Sequence, residues 1–294
     1  MSWFRALPDN APGNMGKAVN GQRSVLITGS SSGIGRHVAV ALKKRGYRVF
    51  ATARRQEDLA ELRALGCEAV QLDLASSASI HHAIAAVMEK TGNTLYALFN
   101  NGAYGQPGAV EDLGREVLRE QFETNLFGTH ELTTLVIPVM RRQGYGRIIQ
   151  NSSLLGCVAL KYRGAYNASK FALEGLTDTL RMELAGSGIF VSLIEPGPIL
   201  SDFRKNAWRA YRKNINPSRS CHSSVYAALE ERLQKDGAVV PFTLGPEAVL
   251  KRVVHALESK RPRVRYPVTF PAYLFVYLKR VLPDRWMDML MARI

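Results

Sequence analysis

Short apolar runs rich in β-branched residues alternate with amphipathic stretches along the first two-thirds of the chain. Runs of this kind indicate buried strands, and apolar residues recurring every three or four positions indicate helices. Strands separated by helices predict a single domain built on a parallel sheet with helices on both faces, a doubly wound α/β fold of about seven strands. The predicted strands are residues 24–28, 47–53, 69–72, 95–99, 147–151 and 189–194, with an edge strand at 263–266.

The helical patterns lie between these strands. Two long ones stand out, at residues 116–142 and 166–184, and Pro138 is expected to kink the first. The others are predicted at residues 37–42, 59–65 and 77–90, and from Gly245-Pro246-Glu247 onward.

The pattern weakens towards both ends. Residues 1–22 have no clear period and no long apolar core of a signal peptide, so we expect a loose tail. The catalytic domain is predicted over 23–266, with a patchily helical region at about 201–245 that covers the pocket (the lid region). Residues 267–294 are predicted as an apolar and basic helical segment interrupted by Pro271.

Charge and cysteine content limit the partners and the cellular compartment that the sequence predicts. The net charge is +14, and residues 204–294 hold 18 Lys/Arg against 7 Asp/Glu, which suggests an anionic partner for this third of the chain. Nucleic acid is not expected, because no binding motif accompanies the charge. The separated Cys67, Cys157 and Cys221 suit a reducing, cytoplasmic compartment. No histidine or cysteine spacing predicts a metal site.

Gly29, Gly33 and Gly35 form a turn between the first strand and the first helix. Such a turn lets backbone N–H groups approach a phosphate at the positive end of a helix dipole. The Gly-x-x-x-Gly-x-Gly spacing differs from the commoner Gly-x-Gly-x-x-Gly fingerprint, so a purely structural turn is the alternative at this point. The predicted doubly wound fold is Rossmann-like, which is a fold that binds dinucleotides at such a turn.

Tyr166 and Lys170 share one face of a helix, and Ser153 follows a strand end. An ammonium beside a phenol favours the phenolate, so the pKa of Tyr166 is expected below its ordinary value of about 10. Tyr166 would then serve as an acid or base near neutral pH. By itself, Tyr-x-x-x-Lys more often marks a solvated helix face.

These motifs together resemble the short-chain dehydrogenase/reductase family. The branch most similar is that of the 17β-hydroxysteroid and retinol dehydrogenases. Segments such as LIEPGPI, FTLGPEAV and RYPVT are closer still to the bacterial YbbO-type NADP-dependent aldehyde reductases. The matching motifs are Thr28-Gly29-x-x-x-Gly33-Ile34-Gly35, Asp73-Leu74, Asn100-Asn101-Gly102, Asn125, Ser153, Tyr166-x-x-x-Lys170 and Pro196-Gly197.

The resemblance implies a role for each matched residue. Tyr166 donates or accepts the proton, Lys170 binds the nicotinamide ribose, and Ser153 steadies the carbonyl oxygen. Asn125 holds a water, although an ordinary helix-bending polar residue is the alternative. The expected cofactor-binding residues are Thr28, Gly29, Ser31, Ser32, Gly33, Ile34, Gly35, Arg36, Arg54, Asp73, Leu74, Asn101, Gly102, Tyr166, Lys170, Pro196, Gly197, Ile199 and Ser201.

The second strand predicts NADP(H) over NAD(H). It ends in Arg54-Arg55, where an NAD enzyme places an acid. Arg54 would clasp the 2′-phosphate with help from Arg36; the alternative is a pair of solvated arginines.

Two positions depart from the family pattern. Gly102-Ala103 reverses the usual Ala-Gly order, which would strain Ala103 if a positive φ is needed there. Ser201 replaces a threonine but keeps the hydroxyl.

The main functional hypothesis is reduction of an aldehyde or ketone by NADPH. Oxidation of a sterol- or retinoid-like alcohol is the alternative within the same class. A non-catalytic NADP-binding sensor is the alternative of another class, which the joint presence of Ser153, Tyr166 and Lys170 disfavours. Trp208, Tyr211 and Tyr226 either line the pocket or pack the lid region on the body. The resemblance also implies a dimer or tetramer formed through the two long helices.

Residues 267–282 carry aromatic and aliphatic side chains bracketed by bases, including Arg265, Lys279, Arg280 and Arg285. The run is too short to span a bilayer, but it is typical of a segment that lies in an anionic interface. Closure of the pocket or burial against another subunit is the alternative.

Overall fold

The computed structural model describes residues 22–293, and its core is one parallel sheet of seven strands. The strand order is β3-β2-β1-β4-β5-β6-β7, so the order reverses between β1 and β4. The predicted doubly wound fold is confirmed. The strands are β1 (Ser24–Ile27), β2 (Arg48–Ala53), β3 (Glu68–Gln71), β4 (Ala97–Asn100), β5 (Gly146–Asn151), β6 (Ile189–Glu195) and β7 (Arg265–Pro267).

Helices cover both faces of the sheet because the strands are apolar on both sides. One face packs against α1, α2 and α9, and the other against α3, α5 and α6. The helices are α1 (Gly33–Lys44), α2 (Gln56–Ala64), α3 (Ser77–Thr91), α4 (Arg115–Phe122), α5 (Gly128–Gln143), α6 (Gly164–Glu183), α7 (Phe203–Asn214), α8 (Ser223–Gln234), α9 (Glu247–Glu258), α10 (Phe270–Val281) and α11 (Asp284–Met291).

Helix α5 continues through Pro138, so this proline does not end it, and the expected kink stays a prediction. Pro138 lies on an exposed face inside α5, where the carbonyl that it leaves unpaired can bond water. The helical stretch changes character earlier, at a π turn over Glu123–Phe127 between α4 and α5. A side chain at Gly128 would overlap the Leu74 carbonyl, so the chain passes close to the loop after β3 at this turn.

The lid region is more helical than the sequence pattern suggested. Helices α7 and α8 share a small apolar core that contains the buried Tyr211 and Tyr226. Trp208 stacks on Tyr211, with ring centroids 5.6 Å apart. All three aromatic residues therefore pack the lid region on the body, and none of them belongs to the cavity wall.

The C-terminal segment forms α10 and α11. Pro271 does not interrupt the first of these helices, since it occupies the opening turn, where proline is tolerated. The Thr269 side chain caps that turn by accepting from the Ala272 N–H. None of the helices within residues 22–293 is both long and apolar enough to cross a membrane.

The predicted tail, residues 1–22, lies outside the described residues except for its last position. The division of the rest into a catalytic domain and a C-terminal segment stays a prediction.

Candidate active site

A cavity of about 1180 Å³ opens at the carboxyl ends of the strands. The strand order reverses between β1 and β4, so the connections that follow these two strands run in opposite directions and leave a crevice between them. Most predicted site residues line it: Gly29, Ser31, Ser32, Gly33, Ile34, Arg54, Asp73, Leu74, Asn101, Gly102, Ser153, Tyr166, Lys170, Pro196, Gly197, Ile199 and Ser201. Thr28, Gly35, Arg36 and Asn125 do not contribute to its wall.

The glycine turn forms an anion cradle. Gly29 and Gly33 adopt positive φ values of 65° and 54°, which side chains other than glycine rarely take. Ser32 precedes α1 without capping it through its side chain, and the first turn contains no acid. The first N–H groups of α1 are thus left for a ligand, and the cradle fits the phosphates of a dinucleotide.

Thr28 and Gly35 support this cradle from behind. The Thr28 hydroxyl oxygen accepts from the N–H groups of Asn101 and Gly102, at 2.9 and 2.8 Å. A side chain at Gly35 would lie 2.1 Å from the Gly29 carbonyl oxygen, so only glycine lets α1 approach the turn. Both residues position the cradle, and their direct contact with a cofactor stays a prediction. Ala103 has no positive φ, so the strain considered for it is absent.

The three arginines near the end of β2 and the start of α1 differ in their surroundings. Arg54 lines the cavity and has no ion-pair partner among the residues that the structure describes. Arg55 is paired with Asp58 at 2.8 Å. Arg36 is paired with Glu61 at 2.7 Å and does not line the cavity, so its help with the cofactor stays a prediction.

Tyr166 and Lys170 lie on α6 and are both buried. The Lys170 Nζ donates to the Asn151 carbonyl oxygen at 2.7 Å and lies 5.8 Å from the centroid of the Tyr166 ring. The Ser153 hydroxyl interacts with the Tyr166 side chain. The predicted Ser–Tyr–Lys set is thereby brought together in the cavity.

The expected direction of the tyrosine pKa is wrong for the protein without ligands. Burial raises the pKa of Tyr166 to about 12, and the contact with Ser153 offsets only part of this effect. Burial also lowers the pKa of Lys170 to about 8, although the charge on Glu174 opposes it. Lys170 is committed to the Asn151 carbonyl, so desolvation of the phenol dominates. At neutral pH Tyr166 carries its proton.

Asn125 lies in the π turn and binds protein groups on both sides of its amide. Its oxygen accepts from the Tyr104 N–H at 3.1 Å, and its nitrogen donates to the Tyr104 carbonyl and the Ser169 hydroxyl at 2.9 and 3.1 Å. Ser169 in turn donates to the Tyr166 carbonyl. Asn125 therefore fixes the loop after β4 to α6, and its role in holding a water stays a prediction.

Sequence reasoning missed two groups near the catalytic set. Phe203, at the start of α7, packs edge-on against Tyr166 with centroids 5.2 Å apart, and no local pattern marked it. Arg265 on β7 binds Glu195 and Asp178, both at 2.6 Å, and also Glu174. An acid four residues after Lys170 was a readable signal for this network, but its partner was too distant in sequence to identify.

The sequence model for "short chain dehydrogenase" matches residues 23–212. The chain belongs to the short-chain dehydrogenase family. Members of this family are oxidoreductases, and so is this protein.

Two relatives and one solved structure show how far the similarity extends. The chain is 43% identical over 267 residues to the "uncharacterized oxidoreductase YbbO" of Escherichia coli K12, covering 91% of this chain and 93% of YbbO. Human retinol dehydrogenase 8 is 37% identical over 191 residues, 62% of this chain and 60% of the human protein. A variant of actinorhodin polyketide ketoreductase, crystallised with NADPH, is 30% identical with a TM-score of 0.70, covering 85% of this chain and 97% of the ketoreductase. The predicted branch of the family is confirmed.

Proposed function

We propose that the protein reduces an aldehyde or ketone with NADPH. The observation that carries this proposal is a buried, protonated Tyr166 beside Ser153 and Lys170, in the same cavity as an anion cradle. Bound NADPH would supply the hydride that reduces the carbonyl carbon. Tyr166 gives its proton to the carbonyl oxygen, which becomes the hydroxyl of the product alcohol.

The chain's own residues divide the work. Ser153 holds the carbonyl oxygen next to the Tyr166 hydroxyl, and the Lys170 ammonium stabilises the phenolate left after proton transfer. Lys170 would also bind the nicotinamide ribose. Pro196, Gly197, Ile199 and Ser201 would hold the nicotinamide end of the cofactor. Asp73, Leu74 and Asn101 would hold its adenosine end.

The preference for NADPH is assigned to Arg54, because it lines the cavity without a carboxylate partner in the described part of the chain. Hydrogen bonds to charged groups contribute about 1.5–3 kcal/mol, which corresponds to a roughly ten- to hundred-fold preference. Steady-state kinetics with NADPH and NADH test this against a panel of aliphatic, aromatic and steroid carbonyls. We expect Arg54→Ala to lose most of the preference for NADPH.

Arg55→Ala is the matched control, because the neighbouring arginine is held by Asp58 instead. We expect it to keep the preference. Equal catalytic efficiency with NADH in the unaltered protein would contradict the assignment, and absence of NADPH consumption with every carbonyl would contradict the proposed reaction.

Oxidation of a lipophilic alcohol is the second candidate. The similarity to retinol dehydrogenase 8 favours it, and apolar side chains from α10 (Phe270, Leu274 and Phe275) line the cavity. The same panel, run with the corresponding alcohols and NADP⁺, separates the two directions. Nothing in the family match or the site supports a non-catalytic NADP-binding sensor.

Two exposed apolar faces of the protein support proposals about its partners. Phe127 in the π turn and Phe171, Leu176 and Met182 on α6 are exposed, and we assign this face to contacts in a dimer or tetramer. The exposed apolar face of α10 and α11 is assigned to contact with an anionic membrane surface. Neither assignment requires a transmembrane helix.

A further inference from the structure

Four arginines line the cavity on the side of the lid region: Arg163, Arg204, Arg209 and Arg232. Arg209 is exposed and donates to the Asn206 side-chain oxygen, and we call the other three the lid arginine cluster. Arg163 immediately precedes α6 and lies one helical turn from Tyr166. Arg204 belongs to α7 and Arg232 to α8. The cluster is therefore next to the catalytic tyrosine. It lies across the sheet from Arg54, which follows β2 on the other side of the strand-order reversal.

Among the described residues, the side chains of the cluster donate hydrogen bonds only to neutral backbone carbonyls. Arg163 donates to the Tyr162 carbonyl at 3.0 Å. Arg204 donates to the carbonyls of Arg232, at 3.5 Å, and Gly237. Within residues 22–293 none of the three arginines forms an ion pair, so their positive charges face the cavity uncompensated.

Several acids of the lid region and the cavity wall are already paired with lysines. Asp202 pairs with Lys205 at 3.6 Å, and Glu120 pairs with Lys213 at 2.8 Å, although both acids line the cavity. On α8, Glu231 pairs with Lys235 at 2.8 Å. The lysines of the lid region thus take these three carboxylates. Glu123 also lines the cavity, but in the described part of the chain it forms no ion pair with the cluster.

Such an arrangement is unfavourable until an anion enters. Burial lowers the pKa of Arg163 to about 10, and the positive charge of Arg232 acts in the same direction. Partly buried cations are normally paired, because desolvation without a counter-charge is costly. Planar guanidinium groups match the oxygens of carboxylates and phosphates in geometry as well as in charge.

We propose that the substrate carries an anionic group, a carboxylate or a phosphate, which the lid arginine cluster binds while the carbonyl lies against Tyr166. This inference rests on the proposed function and narrows its substrate class. Phe242, Phe270 and Leu274 line the same cavity and leave room for an apolar chain. The substrate class is therefore an amphiphilic oxo acid or oxo phosphate rather than a neutral lipophilic carbonyl.

The test compares three aldehydes of equal chain length in the presence of NADPH: a neutral one, one with a terminal carboxylate and one with a terminal phosphate. For the unaltered protein we expect kcat/KM at least tenfold higher with an anionic aldehyde, and the two anionic probes distinguish carboxylate from phosphate. Arg163→Gln and Arg232→Gln should each lower the anionic-to-neutral ratio of kcat/KM by about tenfold or more, mainly through KM.

Arg219→Gln is the matched control, since Arg219 is an exposed arginine of the lid region outside the cavity wall. An unchanged ratio in both cluster variants, with turnover of the neutral aldehyde intact, overturns the inference and leaves the proposed function standing. If no aldehyde is turned over, the proposed function fails, and anion binding is then measured by thermal unfolding. A rise in the unfolding midpoint with a chain-matched carboxylate or phosphate that is lost in Arg232→Gln supports the cluster as an anion site. No rise with either anion overturns it.

Discussion

At the scale of single residues, the site depends on the protonation state of Tyr166. A tyrosine with a pKa of about 12 is an acid at neutral pH, and it can give a proton to a carbonyl oxygen without prior activation. Lys170 then acts after the transfer, because its charge stabilises the phenolate. This assignment of roles differs from an activated tyrosine that is already ionised, and the two are distinguishable by experiment.

The variant Tyr166→Phe removes only the hydroxyl. We expect turnover to fall by about a hundred- to ten-thousand-fold, which is the usual contribution of a positioned acid–base group. NADPH affinity, measured by fluorescence titration, should stay close to that of the unaltered protein. Tyr211→Phe is the control, because Tyr211 is a buried tyrosine in the lid core. Retention of more than about a tenth of the rate by Tyr166→Phe would show that the proton comes from another group.

The pKa of Tyr166 also predicts opposite pH responses in the two directions. Reduction needs the phenol, which is the form present below the pKa, so its rate should not increase with pH. Oxidation needs the phenolate, whose fraction increases about tenfold per pH unit below the raised pKa. Log kcat/KM for alcohol oxidation should therefore rise with a slope of about one in mildly alkaline buffer. A flat oxidation profile would contradict this assignment.

The sequence was sufficient to predict which side chains the cavity brings together but not their electrostatics. Tyr166, Lys170 and Ser153 were chosen through the resemblance to a family, and their catalytic roles stay a prediction. The direction of the shift in the Tyr166 pKa does not follow from the sequence, since it depends on which group accepts the hydrogen bond of Lys170. The same limit applies to the arginines, because only the fold shows that Arg36 pairs with Glu61 while Arg54 remains available to a ligand.

At the scale of elements, the strands were predictable because each is apolar enough to be buried on both faces. The boundaries agree within two residues for β1 and β5, for example. The lid helices were harder to predict, because α7 is rich in bases on its outer face and only Ala207 and Tyr211 are buried. The π turn was not predictable from periodicity, and the close approach of Gly128 to the loop after β3 is visible only in the fold.

One arginine adds ion pairs to the backbone ladder that joins β7 to β6. Arg265 joins Asp178 and Glu174 of α6 to Glu195 of β6, and Glu195 is completely buried. Loss of a single partner from a buried ion pair costs roughly 3–5 kcal/mol, because the remaining charge stays desolvated. Arg265→Met should lower the free energy of unfolding by about this amount in urea denaturation.

The neighbouring Arg263 provides the control for this prediction. Its side chain is exposed, and its contacts with Tyr266 and Ser192 use the backbone N–H and carbonyl. Arg263→Met should change stability by less than about 0.5 kcal/mol. Equal stability losses in the two variants would show that general charge, and not the buried network, stabilises this edge of the sheet.

At the scale of the whole molecule, the C-terminal helices leave an apolar surface uncovered. Helix α10 packs Ala272, Phe275 and Leu278 inward, yet its outer face is apolar as well. Phe270, Tyr277 and, on α11, Trp286 are 57%, 64% and 59% exposed. A helix that is apolar on all its faces is normally buried, either against protein or in lipid. Part of the α10 surface lines the cavity, in agreement with the alternative that this segment closes the pocket. This contact does not account for the exposed apolar face.

The charges near the exposed apolar face favour an anionic lipid surface as its partner rather than a second copy of the chain. Arg280 and Arg285 lie beside the apolar face, and no ion pair engages them in the part of the chain that the structure describes. Residues 204–294 contain 18 Lys/Arg and 7 Asp/Glu, so two copies meeting through this surface would bring like charges together. Aromatic side chains flanked by bases are typical of segments that lie in the headgroup region.

We therefore expect the protein to sediment with vesicles containing phosphatidylserine at low salt and to be released at high salt, because ions screen the attraction. Vesicles of phosphatidylcholine alone should retain much less. Tyr277→Asp should weaken sedimentation, whereas Leu65→Asp, which alters an exposed apolar residue just after α2, should not. Protein that remains in the supernatant with anionic vesicles at both salt concentrations would show that this face contacts something other than lipid. Salt-insensitive sedimentation that Tyr277→Asp leaves unchanged would exclude the interfacial docking described here.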